Sequence, residues 1–156
     1  MDWKRLENTI HQFATEIDAK VEKRVISSIG YKAECYEFKD SADLYYRFQI
    51  TKPRIELGSS FSIRSERPEK DIDIKARKWL FLGPRIKASP NPSRILSDLL
   101  RSLTDKLDQF TIQTDPFDLT FRTKLIDLDI DTLRLIRQIH LELKNNYADQ
   151  ITPTYH

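Results

Sequence analysis

Apolar residues in three stretches of the chain recur at every third or fourth position, the spacing of an amphipathic helix. The first stretch covers residues 3–24. The second covers about 91–109 and opens with Asn91-Pro92, a favourable helix start. The third covers about 130–147. We therefore predict three helices that each bury one apolar side.

Between the first two helices the apolar positions alternate instead, as they do in strands with one buried face. Polar turn residues separate the alternating runs and predict four strands, over 25–39, 44–51, 55–64 and 71–82. A change of parity near Cys35 predicts a bulge in the first strand. Residues 83–92 contain three prolines and are predicted to form a loop.

Two shorter alternating runs, 110–114 and 118–125, predict one or two further strands before the last helix. The predicted order is α-ββββ-α-β(β)-α, which indicates an α+β fold with a mostly antiparallel sheet of four to six strands. Three helices would cover one face of that sheet. We expect a single domain over 1–147 and a flexible C-terminal tail over 148–156.

Composition narrows the classes of function. The chain of 156 residues has three widely spaced glycines, which excludes Gly-rich phosphate loops. The chain contains no apolar run of the roughly 18 residues that span a membrane, so no membrane partner is expected. The N-terminal region lacks the apolar segment of a secretory signal. A single cysteine excludes an intramolecular disulfide, so the expected location is cytoplasmic.

Charge is distributed unevenly along the chain. The net charge is only +2, yet residues 47–101 carry 13 Lys and Arg against 6 Asp and Glu. Alternation places many of these basic residues on the sheet face opposite the helices, where they would meet an anionic partner. The predicted contact residues are Arg47, Arg54, Arg64, Lys75, Arg77, Arg85 and Lys87.

The leading hypothesis is a non-catalytic intracellular binding or adaptor protein that contacts a nucleic-acid backbone or an acidic protein through the basic sheet face and the loop over 83–94. An alternative is a homodimeric chaperone-like or inhibitor protein. The first and last helices carry more apolar surface than one sheet face needs, and such surplus surface usually finds a partner. The predicted element order also resembles that of small dimeric secretion chaperones.

A third hypothesis is a metal-dependent nuclease. Asp71, Asp73 and Lys75 alternate along a predicted strand, so two carboxylates and an amine would share one face. Carboxylates can hold Mg²⁺, and a lysine can stabilise charge at a scissile phosphate. Asp73-x-Lys75 with upstream Asp43 resembles the motif of the PD-(D/E)xK nuclease family, although an extra strand intervenes and no proline precedes Asp43. Charges paired across a polar strand face explain the same pattern.

Other chemistry-bearing residues favour structural roles. The Arg134-x5-His140 spacing resembles the active motif of HEPN ribonucleases, which are all-helical, whereas a half-buried structural histidine also satisfies this spacing. Cys35 has no histidine that the sequence places beside it, so it is predicted to be a small buried side chain. The three histidines are too scattered for a zinc site, and we predict no metal and no cofactor.

Overall fold

The computed structural model of the chain describes residues 3–52, 58–79, 81–124 and 128–149. Within these residues lie the helices α1 (Trp3–Glu16), α2 (Arg94–Thr104) and α3 (Ile130–Asp149). The strands are β1 (Glu22–Ser28), β2 (Tyr31–Lys39), β3 (Tyr45–Lys52), β4 (Ser60–Glu66), β5 (Asp73–Trp79), β6 (Gly83–Ser89), β7 (Gln109–Thr114) and β8 (Asp118–Lys124). The predicted α+β class is therefore confirmed.

All eight strands form one antiparallel sheet in the order β1-β2-β3-β4-β8-β7-β5-β6. The hairpin β7–β8 follows β6 along the chain but inserts between β4 and β5. One face of the sheet packs against the helices. On that face a row of aromatic rings crosses five strands, through Phe38, Phe48, Phe61, Phe121 and Phe110. These rings form the core together with the apolar sides of α1, α2 and α3.

The first helix is shorter than its apolar pattern predicts, because it ends at Glu16 rather than near residue 24. Asp18 adopts a left-handed backbone conformation with φ of 54°. The amide of Ala19 donates to the carbonyl of Ala14, and the amide of Asp18 donates to the carbonyl of Thr15. These two bonds form a Schellman motif, which satisfies the last carbonyls and ends the helix.

The sheet has two more strands than the largest number predicted, because two segments fold into tight hairpins. The single strand predicted over 25–39 is two strands, β1 and β2, joined at Ile29-Gly30. Gly30 has φ of 84°, a conformation that glycine adopts without steric cost. The loop predicted over 83–92 largely forms β6 instead. β6 lies at the sheet edge, where the missing N–H of Pro84 costs no ladder bond.

Two predictions fall partly outside the described residues. The strand predicted over 55–64 corresponds to β4, which begins at Ser60, and 55–57 are not described. The tail predicted over 148–156 begins inside α3, whose backbone continues to Asp149. The rest of the predicted tail, 150–156, lies outside the described residues. Among the helices that the structure describes, none combines the length and the apolar character that crossing a membrane requires.

Polar contacts attach α3 to the turn between β2 and β3. Asp40 has a fully buried side chain whose Oδ2 accepts hydrogen bonds from Tyr46 Oη at 2.8 Å and Arg137 Nε at 3.0 Å. Its Oδ1 accepts from the backbone amides of Ala42 and Leu44. Burial raises the pKa of Asp40, but these donors outweigh burial and hold the pKa below its ordinary value. The carboxylate thus stays charged inside the fold.

Candidate binding face of the sheet

The side of the sheet that faces away from the helices is called here the open face, and its side chains on β5 and β6 are exposed. On β2 and β3 it is partly covered, because Ala33 and Cys35, which share the side of Arg47 by register, are buried. Strand registers bring side chains from distant segments into one row across it. Six of the seven predicted contact residues lie on this face: Arg47, Arg64, Lys75, Arg77, Arg85 and Lys87. The seventh, Arg54, lies outside the described residues.

On strands β1 to β4 the basic side chains of the open face have acidic partners. Arg47 Nε lies 3.7 Å from Glu37 Oε1, and Arg24 also binds Glu37. Arg64 Nε lies 3.7 Å from Asp118 Oδ2, while its guanidinium sits 5.7 Å from the ring centre of Tyr45. Charge in this part of the face is therefore largely balanced within the protein.

The other part of the open face, formed by β5 to β8 and called here the basic half, has a surplus of positive charge. Its basic residues are Lys75, Arg77, Arg85, Lys87, Arg122 and Lys124. Its acidic residues are Asp73 and Asp118. Lys75 Nζ lies 4.0 Å from Asp73 Oδ2. Among the described residues, no carboxylate lies within ion-pair distance of the other five cations.

Like charges face one another across the β5–β6 hairpin. Lys75 is the cross-strand partner of Lys87, and Arg77 is the partner of Arg85. All four side chains are exposed. Directly opposed like charges destabilise a strand pair, because the Cβ atoms of such partners lie only about 4.5–5.5 Å apart. A bound anion between them would relieve this repulsion.

A groove of about 390 Å³ opens within the basic half. Its floor is the neutral strand β7, with Gln109, Phe110 and Thr111, and most of its lining surface is apolar. Its walls carry two cations from β5 and two from β8: Lys75, Arg77, Arg122 and Lys124. The backbone positions of the two walls are two strand spacings, about 10 Å, apart. The cations thus converge on one short neutral strand.

The groove exists because the β7–β8 ladder stops early. Register between these strands ends at Thr111 opposite Arg122, although both strands continue beyond this pair. Past that point Thr123 Oγ1 donates a hydrogen bond of 2.8 Å to the carbonyl of Gln109. This side-chain bond replaces the ladder, and the two strands separate above the core residue Phe110.

The prediction of contact residues from the sequence missed Arg122 and Lys124. Their alternation with Phe121 and Leu119 signals an exposed strand face. However, they belong to the net acidic last third of the chain, and nothing local places that segment beside β5. Only the insertion of β7–β8 between β4 and β5 places the β8 wall of the groove opposite the β5 wall.

The residues of the nuclease hypothesis are spread along one end of the sheet. Asp71 precedes β5, is largely exposed and pairs with Arg67, whereas Asp73 accepts a hydrogen bond of 3.0 Å from Gln113 Nε2. Asp43 lies in the β2–β3 turn and pairs with Lys39. Three strands separate β3 from β5, which places Asp43 about 19 Å from Asp73. Within the described residues, no three His, Cys, Asp or Glu side chains cluster as metal ligands would.

The remaining candidates have structural surroundings. Arg134 binds Glu16 of α1 and Asp131 of its own helix. His140 is 1% exposed, more deeply buried than the sequence predicts, and touches Ser65 rather than solvent. Cys35 is also buried, and Arg47 Nη2 lies 3.6 Å from its Sγ.

Much of the apolar helix surface that suggested a homodimer is buried in the core or packed against it. The residues that the sequence marks as surplus on α3, such as Leu135 and Leu141, pack at the margin of the core. Ile95 on α2, 65% exposed, is the large apolar side chain that the described helices leave open to solvent. The largest exposed apolar side chains instead lie at hairpin ends.

Comparison with protein-family models, curated proteins and solved structures finds no match. The candidate site therefore depends on the geometry and charge of the described residues.

Proposed function

We propose that this protein binds the sugar–phosphate backbone of a single-stranded nucleic acid through the basic half of the open face, without catalysis. One observation carries the proposal. Four cations on facing walls, Lys75, Arg77, Arg122 and Lys124, line one groove, and among the described residues only Lys75 of these four has a carboxylate within 4.0 Å.

Phosphate recognition uses the kinds of side chain that this groove presents. Arg and Lys supply charge, and Thr and Gln supply hydrogen bonds, in contacts that position a nucleic acid without selecting its sequence. The floor offers Gln109 and Thr111 between the cationic walls. A strand lying over β7 would place its phosphates between both walls, with its bases turned towards solvent or towards exposed aromatic rings.

Exposed aromatic side chains stand beside the cations on the open face. Trp79, 46% exposed at the end of β5, lies against Arg77 of the basic half. Tyr45, 49% exposed, lies outside the basic half on β3, against Arg64. Unpaired bases stack on such rings with little sequence preference. This favours a single-stranded nucleic acid over an acidic protein. The carboxylates of a protein can pair with the cations, but they do not stack on aromatic rings as bases do.

The proposal is tested by fluorescence anisotropy with labelled single-stranded DNA and RNA oligonucleotides of mixed sequence. Four phosphate contacts predict a salt slope near −2.8, a loss of roughly 50-fold in affinity when salt rises fourfold. The quadruple variant Lys75→Ala/Arg77→Ala/Arg122→Ala/Lys124→Ala should lose most of this affinity and flatten the slope. Its matched control, Lys4→Ala/Lys20→Ala/Arg101→Ala/Lys106→Ala, removes four exposed cations that lie off the sheet.

Equal weakening in both quadruple variants would overturn the proposal, since it would show attraction to net charge alone. Tighter binding of a poly-glutamate peptide than of the oligonucleotides at the same salt would instead identify an acidic protein as the partner. Mg²⁺-dependent cleavage of the oligonucleotide that disappears in Asp73→Ala would replace the proposal with the nuclease hypothesis.

A further inference from the structure

The turn between β5 and β6, called here the hairpin tip, exposes large apolar side chains. Phe81 is 95% exposed, Leu82 is 67% exposed and Trp79 is 46% exposed. Leu80 lies between them, outside the described residues. Gly83, with φ of 71°, reverses the chain directly after these residues. Exposed apolar residues scattered singly are ordinary, but several together at the end of a hairpin mark an interaction site.

Positive charge flanks the hairpin tip on both of its strands, while Asp108, just before β7, lies beside Lys78 and accepts a hydrogen bond of 2.7 Å from its amide. Arg77 and Lys78 precede it on β5, Arg85 follows it on β6, and all three are exposed. The Arg77 guanidinium lies 4.6 Å from the ring centre of Trp79, so the cation sits against the aromatic side chain. The acidic residue of this hairpin, Asp73, lies at the far end of β5. The partner of the tip must therefore accept both apolar groups and cations.

These requirements distinguish the possible partners. A nucleic acid satisfies the cations and its bases can stack on an aromatic ring, but it has no environment for the aliphatic side chain of Leu82, which lies beyond the groove. A second copy of the chain would bring an identical ring of cations against this one. An anionic lipid surface satisfies both, because apolar side chains enter the acyl boundary while Lys and Arg meet the headgroups. Tryptophan also favours the interfacial region.

We propose that the hairpin tip inserts into the surface of an anionic lipid bilayer, as a peripheral contact that does not span the membrane. Phe81 and Leu82 enter the interface, Trp79 lies at headgroup level, and Arg77, Lys78 and Arg85 contact anionic headgroups. This inference goes beyond the proposed nucleic-acid binding. Its surface shares Arg77 with the groove over β7, whereas Phe81 and Leu82 do not line the groove. It also departs from the sequence-based expectation of no membrane partner, which considered only segments that span a membrane.

The chain contains a matched control for the tip. Phe117, 81% exposed, occupies the β7–β8 turn at the opposite end of the sheet. Asp115 and Asp118 flank it, and Asp115 Oδ1 accepts hydrogen bonds from the amides of Phe117 and Asp118. This turn presents a similarly exposed ring beside two carboxylates and one cation, Arg67, which donates a hydrogen bond to the Asp115 carbonyl, so it should not bind an anionic bilayer.

The test is co-sedimentation with large vesicles of phosphatidylcholine alone or with about 30% phosphatidylserine, at about 0.15 M salt. The wild type should bind the phosphatidylserine vesicles at least about tenfold more tightly than the neutral ones. Phe81→Ser/Leu82→Ser should weaken that binding roughly 10- to 100-fold, since it removes the side chains that enter the interface. Phe117→Ser should leave the binding unchanged.

A second measurement reports insertion directly. The chain has two tryptophans, so Trp3→Phe leaves Trp79 as the only reporter. Its fluorescence should shift to shorter wavelength with phosphatidylserine vesicles and not with neutral ones. Absence of the shift, or undiminished vesicle binding by Phe81→Ser/Leu82→Ser, would overturn the inference. Light scattering that shows a wild-type dimer dissociated by the same double change would also overturn it, by making the tip a self-interface. The affinity of Phe81→Ser/Leu82→Ser for oligonucleotides should stay at the wild-type value. This measurement distinguishes failure of membrane binding from failure of nucleic-acid binding at the groove.

Discussion

His140 Nε2 lies 2.7 Å from Ser65 Oγ, so a polar pair joins α3 to β4 inside the core. His140 Nδ1 is buried and has no hydrogen-bond partner among the described residues. A buried lone pair costs less than a buried N–H, so the favoured tautomer carries its proton on Nε2 and donates to Ser65. The Ser65 hydroxyl can then donate to the carbonyl of Glu66, 3.5 Å away.

Stability should depend on pH through His140. Burial, together with the nearby Lys144 charge, lowers the pKa of His140 from 6.5 to about 4. Between these values the unfolded chain binds more protons, so the contribution to stability is complete above pH 6.5 and is lost as pH falls towards 4. The free energy of unfolding should fall by up to about 1.4 kcal/mol per pH unit in this window.

Urea unfolding at a series of pH values measures this slope. His140→Gln should flatten it, because glutamine does not titrate. A slope that persists in His140→Gln would show that other groups titrate in this window.

Asp40 should be a main polar support of the fold. Asp40→Ala removes four hydrogen bonds and leaves Arg137 without its buried carboxylate. Loss of one partner of a buried pair leaves an uncompensated charge, so the free energy of unfolding should fall by about 3 kcal/mol or more. Asp43→Asn, in the same turn but exposed, should change it by less than about 0.5 kcal/mol. A loss below about 1 kcal/mol for Asp40→Ala would contradict this account.

The turn at Gly30 should require glycine because of its backbone conformation, and not because a larger side chain would clash with a neighbour. A Cβ at this position would meet no heavy atom within 4 Å, yet φ is 84°. Gly30→Ala should therefore lower the free energy of unfolding by about 1–2 kcal/mol through strain alone. Gly30→Asn should cost less, because asparagine tolerates the left-handed region. Thermal unfolding of both variants measures which of them is less stable. A steric clash would make the larger asparagine cost more than alanine, which is the opposite order.

Lys87→Glu should make the protein more stable while weakening its binding to nucleic acid. The change converts the Lys75–Lys87 repulsion into an opposite-charge pair, a gain of about 0.2–1 kcal/mol at low salt. Salt should reduce the gain, because both side chains are exposed. Lys87→Gln should fall between wild type and Lys87→Glu in both stability and oligonucleotide affinity. A stability loss at low salt would contradict the repulsion described here.

The spacing of apolar residues predicted the features that depend only on nearby positions in the chain. Alternation along 44–51 and 71–79 correctly placed Arg47, Lys75 and Arg77 on one side of their strands, because side chains of a strand point alternately to its two faces. The period of α2 and α3 likewise identified buried residues such as Leu100 and Ile136. Pattern alone did not locate the end of α1, because an apolar stripe at helical spacing continues past the Schellman motif at Asp18.

The sequence by itself thus determined the α+β class and the side of each strand on which most cations stand. Only the tertiary structure decided which strands are neighbours. Pairing of β8 with β4 and of β7 with β5 brings Arg122 and Lys124 opposite Lys75 and Arg77. Such pairings join segments far apart in the chain, and their choice depends on how the whole core packs rather than on any local period.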